Sequence, residues 1–109
     1  MYGTIMRATV KAGQRQAFEE VMRSMAPDSS TGFHSAEVAW EDRDPNRLLM
    51  VVHFRDRESY LANASTPQTD SEYRRMVEYL DGEPEWIDVH YTEYVGAALS
   101  EAAVAGATG

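Results

Sequence analysis

Residues 84–95 read PEWIDVHYTEYV, a run rich in the aromatic and β-branched residues that favour β-strands. Successive side chains of a strand point to opposite faces of the sheet. One face of this run would carry Trp86 and His90, and the other would carry Ile87, Val89 and Tyr91. A strand with one face in water alternates apolar and polar residues, and this run does not. We therefore expect protein on both faces, the chain's own helices on one and a second copy of the chain on the other.

Three further strands are predicted upstream of this run. Residues 2–10 form the first and end in a turn at Gly13. Residues 33–40 and 47–54 are joined by 42–46, a segment dense in turn-forming residues, and together they predict a β-hairpin.

Helical spacing predicts the elements between the strands. From Gln14 the apolar residues fall at i, i+3, i+4 and i+7, which is typical of an amphipathic helix that ends before Pro27. A short helix starts near Asp56 and is interrupted by Pro67, and a longer one runs from about Asp70. The order is β-α-β-β-α-β, an α+β ferredoxin-like fold with a four-stranded antiparallel sheet. The two apolar helix faces consist of Phe18, Val21, Met22 and Met25, and of Tyr73, Met76, Val77 and Leu80.

Length and composition limit the possible function classes. The chain has 109 residues, enough for one domain, and a net charge of −8 that disfavours nucleic acid and anionic membranes as partners. It has no cysteine, which excludes disulfides and thiolate chemistry. No apolar stretch has the length of a membrane span, and the N-terminus lacks a signal-peptide pattern. We expect a cytoplasmic protein.

Two regions are predicted along the chain. Residues 1–95 form the folded domain, and residues 96–109 form an Ala/Gly-rich tail that is too short to fold alone. We expect the tail to dock on a partner subunit.

Several segments are similar to a known family in order and spacing. They are residues 3–7 followed by 10–13, residues 51–56 before Ser59 and Tyr60, and residues 83–88. Through them residues 2–95 resemble the antibiotic-biosynthesis-monooxygenase (ABM) type domain of the dimeric α/β-barrel superfamily.

The resemblance implies an assembly and a reaction. Two subunits would join their sheets into a homodimeric barrel with the helices outside, and each would keep a pocket between its sheet and its own helices. Members with a known reaction oxygenate aromatic polyketide-like phenols or anthrones with O2, without flavin, haem or metal. No cofactor is therefore expected. Such a site needs an apolar slot, a base or acceptor, and a donor that stabilises the resulting anion.

Candidate residues follow from these needs. His53 is the candidate base, because imidazole exchanges protons near neutral pH. Arg7 or a tyrosine hydroxyl, Tyr73 in particular, is the candidate for stabilising the anion. The predicted substrate-binding residues are Met6, Met22, Met25, Phe33, Tyr60, Met76 and Trp86.

Each candidate has a simpler structural alternative. The methionine-bearing helix faces could be plain core, and His53 could be a histidine bonded to a backbone carbonyl. Arg7 could pair with Glu37 or Glu93 across a dimer barrel, since a buried guanidinium needs a carboxylate. Trp86 could plug the sheet edge.

Other function classes fit less well. The haem-degrading branch of the superfamily uses an asparagine, a tryptophan and a ligand histidine, where this chain offers Met6, Asn63, and Met76 or Val77. Asp88 and His90 share a strand face, but no second cluster accompanies them, so no metal site is predicted. An RNA-recognition module would need a basic sheet. The alternative to the oxygenase is a non-catalytic dimer that binds a small hydrophobic molecule.

Overall fold

The computed structural model describes residues 1–25 and 27–96, so the predicted tail beyond Gly96 lies outside the described residues. Within them the chain forms four strands, three α-helices and one short 3₁₀ turn, Ser29–Thr31. The strands are β1 (Tyr2–Thr9), β2 (Phe33–Trp40), β3 (Arg47–Phe54) and β4 (Glu85–His90). The helices are α1 (Arg15–Ser24), α2 (Arg57–Ala64) and α3 (Pro67–Val77).

The sheet order is β2-β3-β1-β4, and every neighbouring pair is antiparallel. Ile5 of β1 lies opposite Val51 of β3 on one side and Ile87 of β4 on the other. This is the predicted α+β ferredoxin-like fold, and the prediction is confirmed.

The two faces of the sheet have different surroundings. The face towards the helices, here called the inner face, carries the core, which includes Met6 and Phe18 of α1, both with no exposed surface. The opposite, outer face carries the odd-numbered residues of β1 and β3, such as Ile5 and Val51, which are half-buried. Apolar residues therefore occupy both sides of the sheet, and within residues 1–25 and 27–96 the helices cover its inner side.

Strand β4 is shorter than the sequence indicates. Its ladder with β1 ends at His90, and residues 91–96 have no regular structure. The predicted alternation holds within the strand: Trp86 and Asp88 are on the inner face, while Ile87 and Val89 are on the outer face.

Pro67 begins a helix rather than interrupting one. It is the first residue of α3, and Thr66 caps this helix by accepting a hydrogen bond from the backbone N–H of Thr69 at 3.2 Å. The missing proline N–H has no helical partner at that position, so proline is tolerated there. The predicted start near Asp70 is therefore wrong by one turn.

Helix α2 is capped by a carboxylate. Asp56 accepts a hydrogen bond from the backbone N–H of Ser59 at 2.8 Å. The hydroxyl and N–H of Ser59 lower the pKa of Asp56 to about 2, with a smaller contribution from Arg55. The cap stabilises the helix most when the carboxylate is ionised.

Asp56→Asn tests this ionised cap. Asparagine keeps a capping oxygen but does not titrate. Because folding lowers the pKa of Asp56, its charged form adds stability above the ordinary value of 3.8, and this contribution is lost as the pH falls towards about 2. We expect the free energy of unfolding to be higher for the wild type than for the variant at pH 6. This difference should shrink as the pH falls from 3.8 towards about 2. Chemical denaturation at several pH values measures it, and a difference independent of pH would contradict the assignment.

Among the described residues, no helix is both long enough and apolar enough to cross a membrane.

Candidate functional site

A cleft of about 900 Å³ lies between the inner face of the sheet and the three helices. Ligand pockets for small molecules are commonly about 300–1,000 Å³ in volume. Its walls are mostly apolar, with a few hydroxyl, amide and charged groups. The principal lining side chains are Thr4, Met22, Met25, Phe33, Ala36, Val38, Met50, Val52, Phe54, Tyr60, Asn63, Tyr73, Met76 and Trp86. The cleft can hold a flat aromatic molecule.

Two aromatic rings lie side by side in the wall of the cleft. Tyr73 of α3 and Trp86 of β4 have ring centroids 6.1 Å apart and are tilted by 48°. Both are large side chains that remain 39% and 41% exposed, respectively. Half-exposed aromatic faces stack favourably on other rings. The pair is therefore suited to hold an aromatic ligand, with the Tyr73 hydroxyl as a hydrogen-bonding group.

Tyr60 of α2 links the cleft to the edge of the sheet. Its hydroxyl donates a hydrogen bond to Oδ1 of Asp88 on β4 at 2.9 Å. Burial, and next the bond to Asp88, raise the pKa of Tyr60 to about 12, with an opposing contribution from the neighbouring Thr4 hydroxyl. The phenol therefore stays neutral throughout the physiological range.

Charged residues add polarity to the cleft lining. Glu19, Asp70 and Glu72 contribute negative charge, and Arg23 contributes one positive charge. Glu19 accepts a hydrogen bond from the indole N–H of Trp40 at 3.2 Å. No histidine or lysine of residues 1–25 and 27–96 lines the cleft. Proton acceptors at the cleft are therefore carboxylates or hydroxyls.

The structure brings together most of the predicted substrate-binding residues. Seven of the sequence candidates line the cleft: Met22, Met25, Phe33, Tyr60, Tyr73, Met76 and Trp86. Met6 is not among the lining residues, because it is completely buried in the core beneath the sheet.

Arg7 and His53 do not share this cleft. Successive strand residues alternate in direction. Because Met6 and Phe54 point to the core, Arg7 and His53 lie on the outer face. The expectation that they would face the same slot as the aromatic residues is therefore not met within one chain. Arg7 is exposed on this outer face.

His53 belongs to a separate polar group on the outer face. Its ring lies 4.0 Å from that of Tyr91, and its Nε2 is 3.6 Å from a carboxylate oxygen of Glu37. Burial and the charge of Glu37 raise the pKa of Tyr91, whose hydroxyl donates to the carbonyl of Val52 at 2.9 Å. Glu37, a predicted partner of Arg7 across a dimer, lies beside His53 within the single chain.

Asp88 and His90 do not form a metal cluster. Asp88 is bonded to Tyr60, and the His90 ring packs edge-on against Tyr2 with centroids 4.8 Å apart. Among the described residues, no group of three histidine or acidic side chains is arranged to hold a metal ion.

The comparisons with known proteins agree with the fold. The profile of the family described as antibiotic biosynthesis monooxygenase matches residues 1–79. The chain belongs to this family. No curated protein matches the chain significantly in sequence.

Solved structures resemble the ABM domain over most of its length. A protein from Nitrosomonas europaea that carries the family's name is 18% identical, with a TM-score of 0.69 over 87% of this chain and 93% of that one. One from Chloroflexus aurantiacus, named likewise, is 22% identical, with a TM-score of 0.65 over 87% and 98% of the two chains. A conserved protein from Methanosarcina mazei is 20% identical, with a TM-score of 0.69 over 82% and 90%. At these identities the likeness shows the fold alone.

Proposed function

We propose that this protein is a cofactor-independent monooxygenase that acts on an aromatic, polyketide-like phenol or anthrone with O2. The observation that carries the proposal is the apolar cleft of about 900 Å³, whose wall contains the Tyr73–Trp86 pair and a second tyrosine, Tyr60. Membership of the ABM family supports the reaction class. The apolar cleft and its tyrosine-bearing wall fit a ligand that is flat, largely apolar and hydroxylated.

The proposed reaction begins with loss of a proton from the activated substrate, whose electron-rich anion then reacts with O2. For an anthrone, one oxygen atom replaces the two hydrogens of a methylene group as a carbonyl. The other oxygen leaves as water, so the substrate supplies all the electrons. The protein's part is to bind the ring, accept the proton and stabilise the anion. The proposed donor to that anion is the hydroxyl of Tyr73, a residue that lines the cleft.

O2 uptake with dithranol, an anthrone, tests the reaction. We expect the wild type to accelerate uptake over buffer and Trp86→Ala to lower kcat/KM by about 3–10-fold, because a stacking partner is lost. Tyr73→Phe keeps the ring and removes only the hydroxyl, so its effect should fall on kcat. Leu61→Ala, on the exposed side of α2, serves as the control. His53→Ala tests whether the outer-face histidine contributes to O2 uptake. Uptake at the buffer rate with the wild type would refute the proposal for anthrones.

The position of His53 favours a second candidate function, ligand binding without catalysis. His53 lies on the face opposite the cleft, so the cleft has no histidine base from its own chain. This suits a non-catalytic protein that binds a small hydrophobic molecule. Tight binding of dithranol by the wild type without O2 consumption would select this alternative.

A haem-degrading role is not proposed. The position expected for a ligand histidine holds Met76, which is 3% exposed, or Val77. The position expected for the asparagine of the first strand holds Met6 in the core.

We further propose that the protein works as a homodimer in the cytoplasm. The support for the dimer is the outer face of the sheet, where Ile5, Val51 and Val89 are half-buried and Ile87 is 40% exposed in the single chain. A second copy would cover this apolar surface and enclose His53 and Arg7 between two sheets.

A further inference from the structure

Tyr60 stands between the cleft and an exposed carboxylate. Its side chain lines the cleft, and its hydroxyl bonds to Asp88 on the edge strand β4. Asp88 is exposed and is not among the lining residues. The neighbouring Thr4, directly opposite Asp88 in the ladder, does line the cleft. One hydroxyl thus connects the ligand space with a carboxylate in contact with solvent.

The bond to Asp88 fixes what Tyr60 offers a ligand. A phenol has one proton to donate and an oxygen that can also accept. The proton of Tyr60 is already directed at Asp88, and the neighbouring Thr4 hydroxyl donates its own proton to the carbonyl of Ile87 at 3.1 Å, so the tyrosine oxygen is available as an acceptor. A ligand hydroxyl can therefore donate to it.

Tyr60 is not a base by itself. Burial and the nearby carboxylate hold its pKa at about 12, so a free tyrosinate is not populated near neutral pH. A proton can enter the tyrosine oxygen only if the existing one leaves at the same time. Asp88 is the group that can receive it.

We propose that Tyr60 and Asp88 form a proton relay that deprotonates a hydroxyl of the bound aromatic molecule, an inference that rests on the proposed function of the cleft. The ligand O–H bond breaks as its proton binds the tyrosine oxygen, and the tyrosine O–H bond breaks as that proton binds Oδ1 of Asp88. The ligand becomes an oxyanion, Tyr60 is neutral before and after, and Asp88 becomes a neutral acid. Asp88 then releases the proton to solvent, which it contacts directly.

The relay can be tested without turnover by using 2-naphthol, whose hydroxyl becomes strongly acidic on excitation. A bound naphthol that meets a proton acceptor emits as naphtholate, at longer wavelength than the neutral form. Spectra are recorded at neutral pH and at protein concentrations where further protein causes no change. The variants are Tyr60→Phe, Asp88→Asn and Asp88→Glu. Glu85→Gln, on the same strand but on its outer face, is the matched control.

We expect naphtholate emission from the probe bound to the wild type, to Glu85→Gln and to Asp88→Glu. Tyr60→Phe and Asp88→Asn should lose it, although asparagine keeps an oxygen that accepts the Tyr60 hydrogen bond. Naphtholate emission that survives in Asp88→Asn would overturn the relay, as would neutral emission from the wild type. Failure of naphthol to bind would instead refute the cleft as an aromatic site. The O2-uptake assay tests the proposed function separately, because it depends neither on naphthol binding nor on naphtholate emission.

Discussion

Ile87→Lys is expected to convert a dimer into a monomer. In the single chain Ile87 lies on the outer face of the sheet beside Ile5, which has Val51 on its other side. A twofold interface would contain the residue twice, so each dimer would have to bury two added ammonium groups in apolar surroundings. We expect the dissociation constant to rise by more than about 100-fold, which corresponds to roughly 2.8 kcal/mol.

Leu61→Lys is the matched control for this substitution. Leu61 is 42% exposed and Ile87 is 40% exposed, so the two changes remove similar apolar surface from the isolated chain. Light scattering and sedimentation measure the mass, which should be twice the chain's 12.3 kDa for the wild type and for the control. A wild type that is already monomeric at micromolar concentration, or an Ile87→Lys variant that stays dimeric, would contradict the proposed interface.

The sequence was sufficient to predict the order of the elements. Strand composition and helical spacing are local properties, and they identified β1, β2, β3 and α1 at nearly their observed bounds. The ends of elements were harder. A proline breaks a helix when it lies in the interior but is favoured in the first turn. The capping bond of Thr66 shows that Pro67 is in the first turn. The ladder of β4 with β1 ends at the pair His90 and Tyr2, although the backbone N–H of Tyr91 still donates to the carbonyl of Met1 at 3.0 Å.

The candidate site was predicted only in part, for a geometric reason. The apolar lining follows from which helix and strand faces point inward, and this could be read from spacing. The same alternation already separated Arg7 from Met6, and His53 from Phe54, so their outer placement was accessible from the pattern.

The Tyr60–Asp88 bond was harder to predict from the sequence than the lining of the cleft. The residues are 28 positions apart, and their contact depends on how α2 packs across the edge of the sheet. Asp88 shares a strand face with Trp86 and His90, which marks it as an inner-face residue. Nothing local indicated which helix residue would meet it. Long-range side-chain pairs of this kind follow from tertiary packing, whereas elements follow from local spacing.

Ala36→Trp is expected to weaken ligand binding by occupying the part of the cleft that lies against β2. Ala36 is on β2 opposite Val52, and it lines the cleft from the inner face of the sheet. A strand residue has a fixed direction, so the indole would project into the ligand space rather than away from it. Tryptophan is also favoured in strands, and the position is exposed, so we expect the free energy of unfolding to change by only about 0.5 kcal/mol. Affinity for 2-naphthol should fall by more than about tenfold, or 1.4 kcal/mol.

Ala62→Trp separates occlusion from the general effect of an added indole. Ala62 is also exposed, but it lies on α2 and does not line the cleft. Affinity for 2-naphthol and O2 uptake with dithranol should therefore be unchanged in this variant, whereas both should be reduced in Ala36→Trp. If 2-naphthol binding were lost while O2 uptake persisted, the reaction would occur outside the cleft. The outer-face group around His53 would then be the next candidate site. Normal binding in a folded Ala36→Trp variant would argue against a ligand position over Ala36 on the inner face of the sheet, because the added indole occupies that part of the cleft.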